Sequence, residues 1–303
     1  MLPCTSFLLM IEPVNFGFNE ETAVNNAFQE NLQENIQPKA LEEFNELVVL
    51  LQANKVNVTV VKDTPNPFTP DSIFPNNWIS FHENGTVILY PMFADNRRLE
   101  RKTSVLNAIE KKFMVRELID LSQAEEKQLY LEGTGSMVLD RENGIAYACL
   151  SPRTHEQLLN EFCRLNEYTP FMFSASDSKG IPIYHTNVMM SIATGYVVIC
   201  LEAITNITER DTVVACLNRS GKIVIDISFD QLHHFAGNML QVKNTEGELL
   251  LVMSTRAYDS LTTDQLNTLQ RFNRILHSSL ATIETVGGGS ARCMIAEVFL
   301  KPG

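Results

Sequence analysis

Residues 77–91 read NWISFHENGTVILYP: an apolar run, an Asn-Gly step and a second apolar run. Asn-Gly between two strand-like segments signals a hairpin, because both residues tolerate the positive φ of a tight turn. The same design returns at 136–150 (SMVLDRENGIAYACL), 188–201 (VMMSIATGYVVICL) and 238–254 (NMLQVKNTEGELLLVMS), each with a glycine in the turn. A helix-like stretch follows each hairpin, and a further strand follows most of these helices. The result is a ββαβ unit recurring about every 50–60 residues, a spacing that suits a repeat architecture. The repeat lies in pattern and not in residue identity. No low-complexity or Pro/Ser-rich linker divides the chain, so residues 1–303 are expected to form one α/β domain.

The helices are expected at 19–32, 38–55, 96–113, 151–166, 207–220, 228–238 and 262–278. Apolar residues at helical spacing carry them, as with Leu41, Phe44, Val48 and Leu51. Several open on Ser, Thr or Asn, the residues that cap helix N-termini. Residues 6–13 (SFLLMIEP) and 292–300 (RCMIAEVFL) read as strands at the two ends of the chain.

Composition narrows the function. The chain has 303 residues, 45% hydrophobic, and a formal net charge of −12. A polyanion needs a basic patch, so a nucleic-acid partner is not expected. No run reaches the ~18 apolar residues of a membrane span. The first sixteen residues lack a basic n-region and a small-residue cleavage site, which favours a buried strand over a signal peptide. Six cysteines stand scattered at 4, 149, 163, 200, 216 and 293, with no Cys-x-x-Cys. That pattern points to a reducing, cytoplasmic setting. Cys149, Cys200 and Cys216 sit in apolar runs and read as core.

Four places hold residues able to do chemistry. Residues 284–300 read ETVGGGSARCMIAEVFL, so three glycines lead to Cys293. A thiolate there would be a nucleophile, and the glycines would let backbone approach a ligand; a buried cysteine after a flexible loop fits equally well. Among the six histidines, His82, His155 and His277 read as surface residues. His233 and His234 are neighbours whose side chains diverge, and no His-x-x-x-His appears, so no metal site is expected. His185 stands at the mouth of an apolar hairpin, either as a rigidly held acid/base or as a strand-edge residue bonded to backbone. Glu132, in YLEGTGSMVLD (130–140), is a local cap, an acid/base or a cation ligand. Asn76 and Asn77, in DSIFPNNWISF (71–81), are turn residues or contacts.

Taken in order, Glu-Gly-x-Gly at 132, LSPRT at 150–154, His-x-Asn at 185 and Gly-Gly-Gly-x-x-x-Cys at 287–293 resemble the pentein, or amidinotransferase, superfamily. That superfamily includes arginine deiminases, dimethylarginine dimethylaminohydrolases and glycine amidinotransferases. The opening EPVNFGFNEETAVNNAFQ (12–29) looks most like the citrulline-utilising hydrolase branch, and the resemblance runs from residue 11 to 299. It implies a five-bladed α/β propeller of ββαβ repeats with the site on its axis. It also implies catalytic roles for Cys293 as nucleophile, His185 as acid/base and Glu132 as a substrate-orienting carboxylate. Substrate contacts are implied for Asn77, Asn187, Arg153, Arg98, Phe74 and Asn15, with Arg97 and Arg98 left undistinguished as the one that faces the pocket, and with neither metal nor organic cofactor. The partner is a small guanidino or ureido amino acid, with a homo-oligomer left open.

The chain departs from the family pattern at Gly135, where an aspartate is usual, and at Gly288, near an arginine that holds carboxylates. Asn77 and Asn187 replace two carboxylates that grip a guanidinium. An amide can donate a hydrogen bond to a ureido oxygen, which a carboxylate cannot. The expected reaction is therefore hydrolysis of citrulline to ornithine, carbon dioxide and ammonia through a carbamoyl thioester. An arginine deiminase or dihydrolase, an amidinotransferase, or an inactive pentein-fold binding protein stand as alternatives.

Overall fold

The computed structural model describes residues 2–32 and 36–303; Met1 and residues 33–35 lie outside the described residues. Strands β1 (Phe7–Glu12) and β2 (Asn57–Lys62) pair in parallel. Four further sheets follow along the chain. They are β3 (Ile79–Phe81), β4 (Thr86–Leu89) and β5 (Glu117–Asp120); β6 (Val138–Asp140), β7 (Ile145–Cys149) and β8 (Thr169–Phe173); β9 (Met190–Ala193), β10 (Tyr196–Ile199) and β11 (Ile223–Asp226); and β12 (Leu240–Lys243), β13 (Leu249–Ser254) and β14 (Arg274–Ser278). In each, the first two strands form the expected antiparallel hairpin, and the third adds in parallel after a helical crossover.

The last strand, β15 (Ala296–Glu297), returns to β1 in antiparallel register, Leu8 opposite Glu297. Sheet one thus repeats the same antiparallel–parallel pattern, assembled from the two ends of the chain. The fold is α/β with five three-stranded sheets.

Burial follows position within each unit. Central strands such as YVVI of β10 are buried throughout, whereas outer strands such as ELID of β5 are mostly exposed. The helix Ile36–Ala53, between β1 and β2, buries Ala40, Phe44, Leu47, Val48 and Leu51. Each of its larger buried side chains contributes about 2 kcal/mol by leaving water. Phe44→Ala would remove the largest of them. Ser228 and Thr262, which open two of the expected helices, cap them by accepting from backbone N–H groups of the following turn, and Asn206, just outside its expected helix, does the same.

Several expectations need correction. The helix expected at 262–278 ends at Gln270, and residues 274–278 form β14. The Asn273 side chain bonds the Leu269 carbonyl and the Tyr196 hydroxyl, and β13 then captures the chain. His277 is accordingly on a strand. The 96–113 helix is two, Asp95–Arg98 and Thr103–Glu110, and in 19–32 only Glu20–Ala23 is helical. The strand at 117–120 and the helix Ala281–Gly287 were not foreseen. His82 is buried at 5% exposure rather than on the surface. Its ring packs near Phe162, and Nε2 pairs with the Ser80 hydroxyl at 2.8 Å. Among the described residues, no helix is long and apolar enough to cross a membrane.

Candidate active site

Five side chains stand just before the first strand of the five sheets: Asn77 before β3, Glu132 before β6, His185 before β9, Asn238 before β12 and Cys293 before β15. They follow one another at intervals of 53–55 residues. Equivalent entry points in five similar units bring them together.

Cys293 ends the loop that leaves the helix Ala281–Gly287. Its N–H donates to the Ser290 carbonyl at 2.9 Å, and the Ser290 hydroxyl donates to the buried Glu284 carboxylate at 2.6 Å. The preceding glycines serve close packing. A Cβ on Gly287 would stand 2.8 Å from the Phe74 ring, and one on Gly289 3.0 Å. Phe74 is therefore the floor on which the Cys293 loop lies.

His185 caps the single helical turn Thr186–Met189. Its Nε2 lies 2.7 Å from Glu132 Oε2. A carboxylate only accepts, so Nε2 carries the proton and Nδ1 keeps its lone pair. The other Glu132 oxygen accepts from the Phe93 N–H at 2.9 Å, and Arg153 Nη1 lies 3.6 Å from Oε2. Burial pushes the Glu132 carboxyl up, but Arg153 and the His185 bond outweigh it and bring the group down to about 2. Burial pulls the His185 ring down to about 4, against the upward pull of Glu132. At neutral pH the pair is thus carboxylate and neutral imidazole.

Cys293 and His185 line one cavity with Thr22, Asn26, Asp71, Phe74, Asn77, Arg97, Arg153 and Tyr184. Its free space is about 20 Å³, room for about one water molecule. Residues 19–30 cover it. Arg153 holds this cover, its Nη2 donating to the Thr22 carbonyl at 2.8 Å and its Nε to Asn25 Oδ1 at 2.8 Å. The Glu30 N–H reaches the Thr285 carbonyl at 2.7 Å.

The expected contacts divide. Phe74, Asn77 and Arg153 line the cavity. Asn77 Oδ1 accepts from Arg97 Nη1 at 2.8 Å, which leaves Nδ2, without a partner among the described residues, as the free end. Glu132 lies behind His185 rather than on the cavity wall. Asn187 also lies behind the wall, its Nδ2 3.5 Å from Cys293 Sγ. Arg98 is replaced by Arg97. Successive residues of a helical turn diverge by about 100°, so Arg97 goes in to fork Glu100 while Arg98 turns out to Asp95 and the Met92 carbonyl. Asn15 donates to the Pro65 carbonyl away from the cavity.

Sequence reading missed Asp71, Tyr184 and Asn238, and left Arg97 and Arg98 undistinguished. Asp71 Oδ2 accepts from Asn19 and Thr22, whereas its buried Oδ1 has no partner among the described residues. Burial pushes this carboxyl up against the nearby Arg97 guanidinium. The 53–55-residue interval would have found Asn238, which falls midway between His185 and Cys293. Among the described residues, no three of His, Cys, Asp and Glu are grouped to hold a metal ion.

No curated protein sequence matches the chain. Solved structures share its fold at low identity. The arginine dihydrolase ArgZ of cyanobacteria superposes with a TM-score of 0.76 at 18% identity, over 98% of this chain and 41% of ArgZ. This chain therefore spans less than half of the full-length ArgZ chain, but the N-terminal domain of ArgZ matches over 96% of this chain and 97% of that domain, with a TM-score of 0.75 at 18% identity. A dimethylarginine dimethylaminohydrolase bearing an S-methyl-L-thiocitrulline adduct gives a TM-score of 0.65 at 12% identity, over 97% of this chain and 99% of its own. The family described as N,N dimethylarginine dimethylhydrolase, eukaryotic, matches residues 12–300. The chain belongs to this family, one of hydrolases of carbon–nitrogen bonds within the pentein, or amidinotransferase, superfamily.

Proposed function

We propose that this chain is a cysteine-dependent hydrolase of guanidino amino acids, with Cys293 the nucleophile, His185 the proton carrier and Glu132 the group that holds His185. One observation carries the reading: Cys293 and His185 share a small cavity with Asp71, which has a carboxylate oxygen to spare for a cation. Burying a guanidinium or ammonium needs such a partner. The family and the ArgZ likeness support the same class.

Cys293 Sγ gives its proton to His185 Nδ1 and bonds to the central carbon of the substrate. Glu132 steadies the imidazolium formed. Nδ1 then passes the proton to a departing nitrogen, and the carbon–nitrogen bond breaks to leave a thiol-bound intermediate. Water, deprotonated by Nδ1, attacks that carbon, and the carbon–sulfur bond breaks to return the thiol. Closure by residues 19–30 keeps bulk water from the charges.

A second reading, a neutral ureido substrate such as citrulline, is favoured by Asn77. Arg97 turns its carbonyl away, so the free NH2 group suits a ureido oxygen or the oxyanion formed there. A dihydrolase would meet both demands in succession, a cation first and a ureido group second.

The five sheets are further proposed to close into a five-bladed ring. β15 lies against β3, β6 against β9 and β9 against β12. Leu8 and Met10 share an apolar cluster with Leu240 and Val242, and Ile88 shares one with Ala146.

The deciding experiment measures ammonia release and product mass with arginine, methylated arginines, agmatine and citrulline, for native protein and Cys293→Ala. A guanidino amino acid should turn over fastest, and Cys293→Ala should be inactive yet folded. Turnover by Cys293→Ala would overturn the assignment of the site; faster cleavage of citrulline than of any guanidine would overturn the substrate class.

A further inference from the structure

The sulfur of Cys293 meets two side-chain amides on the side away from the cavity. Asn187 Nδ2 lies 3.5 Å from Sγ and Asn238 Nδ2 lies 3.2 Å from it. Asn238 is 1% exposed and fills the entry position of the fifth sheet, where the other four sheets place Asn77, Glu132, His185 and Cys293.

Its orientation is fixed by its partners. The Arg292 backbone N–H, next to the nucleophile, points at Asn238 Oδ1 at 3.1 Å. A donor there requires the amide oxygen, so the NH2 group must face the other way. One of its hydrogens goes to the Asn187 carbonyl at 2.9 Å, and the other is left for Sγ. The approach is built in. A Cβ on Gly237 would stand 2.4 Å from the Val188 carbonyl oxygen, so only glycine lets the chain bring Asn238 this close.

We propose that Asn238 is a catalytic residue: its amide donates to Cys293 Sγ, favouring the thiolate and aiming it, while its oxygen fixes the backbone of the nucleophile loop. The inference rests on Cys293 being the nucleophile. A sulfur that receives donors is stabilised as the anion, and bonds to charged acceptors are the strong ones. Asn187 adds a longer contact of the same kind from the neighbouring sheet.

The test uses Asn238→Asp in the full chain. Aspartate keeps the oxygen that accepts from Arg292 but sets a second oxygen, and its charge, against sulfur, so Asn238→Ser, which removes the donor without adding charge, is measured beside it. kcat should fall about 10- to 100-fold with KM within about 3-fold. Alkylation of Cys293 by iodoacetamide, which consumes the thiolate, should slow by a similar factor at neutral pH and recover at alkaline pH. Should aspartate prevent folding, Asn238→Ser, too short to reach Sγ, reads the same quantities. Native-like kcat and alkylation in a folded variant would overturn the inference. If Cys293→Ala is inactive while Asn238→Asp is fully active, this inference alone falls; if Cys293→Ala turns over, the underlying assignment falls first.

Discussion

Gly135 offers a perturbation whose cost can be worked out before it is made. It lies in the single helical turn Gly133–Ser136 and does not have a positive φ, so alanine fits its backbone. Alanine in a helical turn is favoured over glycine by roughly 0.5–1 kcal/mol, so the backbone itself does not resist the change. The added methyl meets the site instead. Its position is 2.4 Å from Asn77 Nδ2, 2.8 Å from His185 Nδ1 and 2.9 Å from His185 Cε1, against an ordinary contact of at least 3.4 Å. The imidazole must retreat by about 0.6 Å and the amide by about 1 Å, yet neither is loose. Glu132 holds the ring from behind and Arg97 holds the amide. A misplacement of about 1 Å in a reacting group costs about 100-fold, close to 3 kcal/mol in the barrier. Gly135→Ala should therefore lose about two orders of magnitude in kcat/KM on its best substrate, with a modestly lower Tm, because overpacking strain of about 1–3 kcal/mol exceeds the helical gain. Steady-state kinetics and thermal unfolding on the same preparation test both halves. Activity within about 3-fold of native would refute the claim that Asn77 and His185 are held rigidly against residue 135.

Two further outcomes follow from buried charge. Asp71→Asn removes the spare carboxylate oxygen while keeping shape, so KM for a cationic substrate should rise at least about 10-fold with a much smaller change in kcat; an unchanged KM would show that Asp71 does not meet the substrate. His82 is held down to about 3 by burial and by Arg141, so it stays neutral in the folded chain while its unfolded counterpart takes up a proton below about 6.5. Stability from this group is full above that pH and is lost as pH falls, by about 2 kcal/mol between pH 8 and 5. His82→Gln should lose less over that interval in chemical denaturation at the two pH values, and an identical loss would refute the account.

Much of this was legible in the chain, and the rest was hidden for identifiable reasons. The hairpins were plain because their turns carry glycines, and all four of these adopt positive φ. Cys293, His185 and Glu132 stood out through their neighbours. Arg97 and Arg98 did not separate, because the phase of a one-turn helix is set by the wall it meets, here Glu100 and Asp71. β14 was invisible because RILHS is captured by parallel pairing with β13, a tertiary event, after residues that continue a helical apolar spacing. Asn238 was overlooked because an asparagine before a strand is unremarkable by itself and becomes informative only through the interval it completes.

That interval changes what the glycines mean. Next to a cysteine they suggest a flexible loop that exposes amides to a ligand. In the structure they mark crowding. Gly133 would set a Cβ 2.4 Å from the Asn76 carbonyl, Gly237 one 2.4 Å from the Val188 carbonyl, and Gly287 one 2.8 Å from Phe74. Each stands within six residues of an entry-position side chain and touches the chain entering a different sheet. Where these entering segments run closest together there is no room for a side chain between their backbones, so the residue at the contact must be glycine. The five entry residues differ, an amide at 77 and 238, an acid at 132, an imidazole at 185 and a thiol at 293, and of these the cysteine alone also joins an apolar cluster, packing with Phe74 and Ile283. The glycines are a requirement of convergence, and convergence is what turns five weak local signals, spaced 53–55 residues apart, into one site.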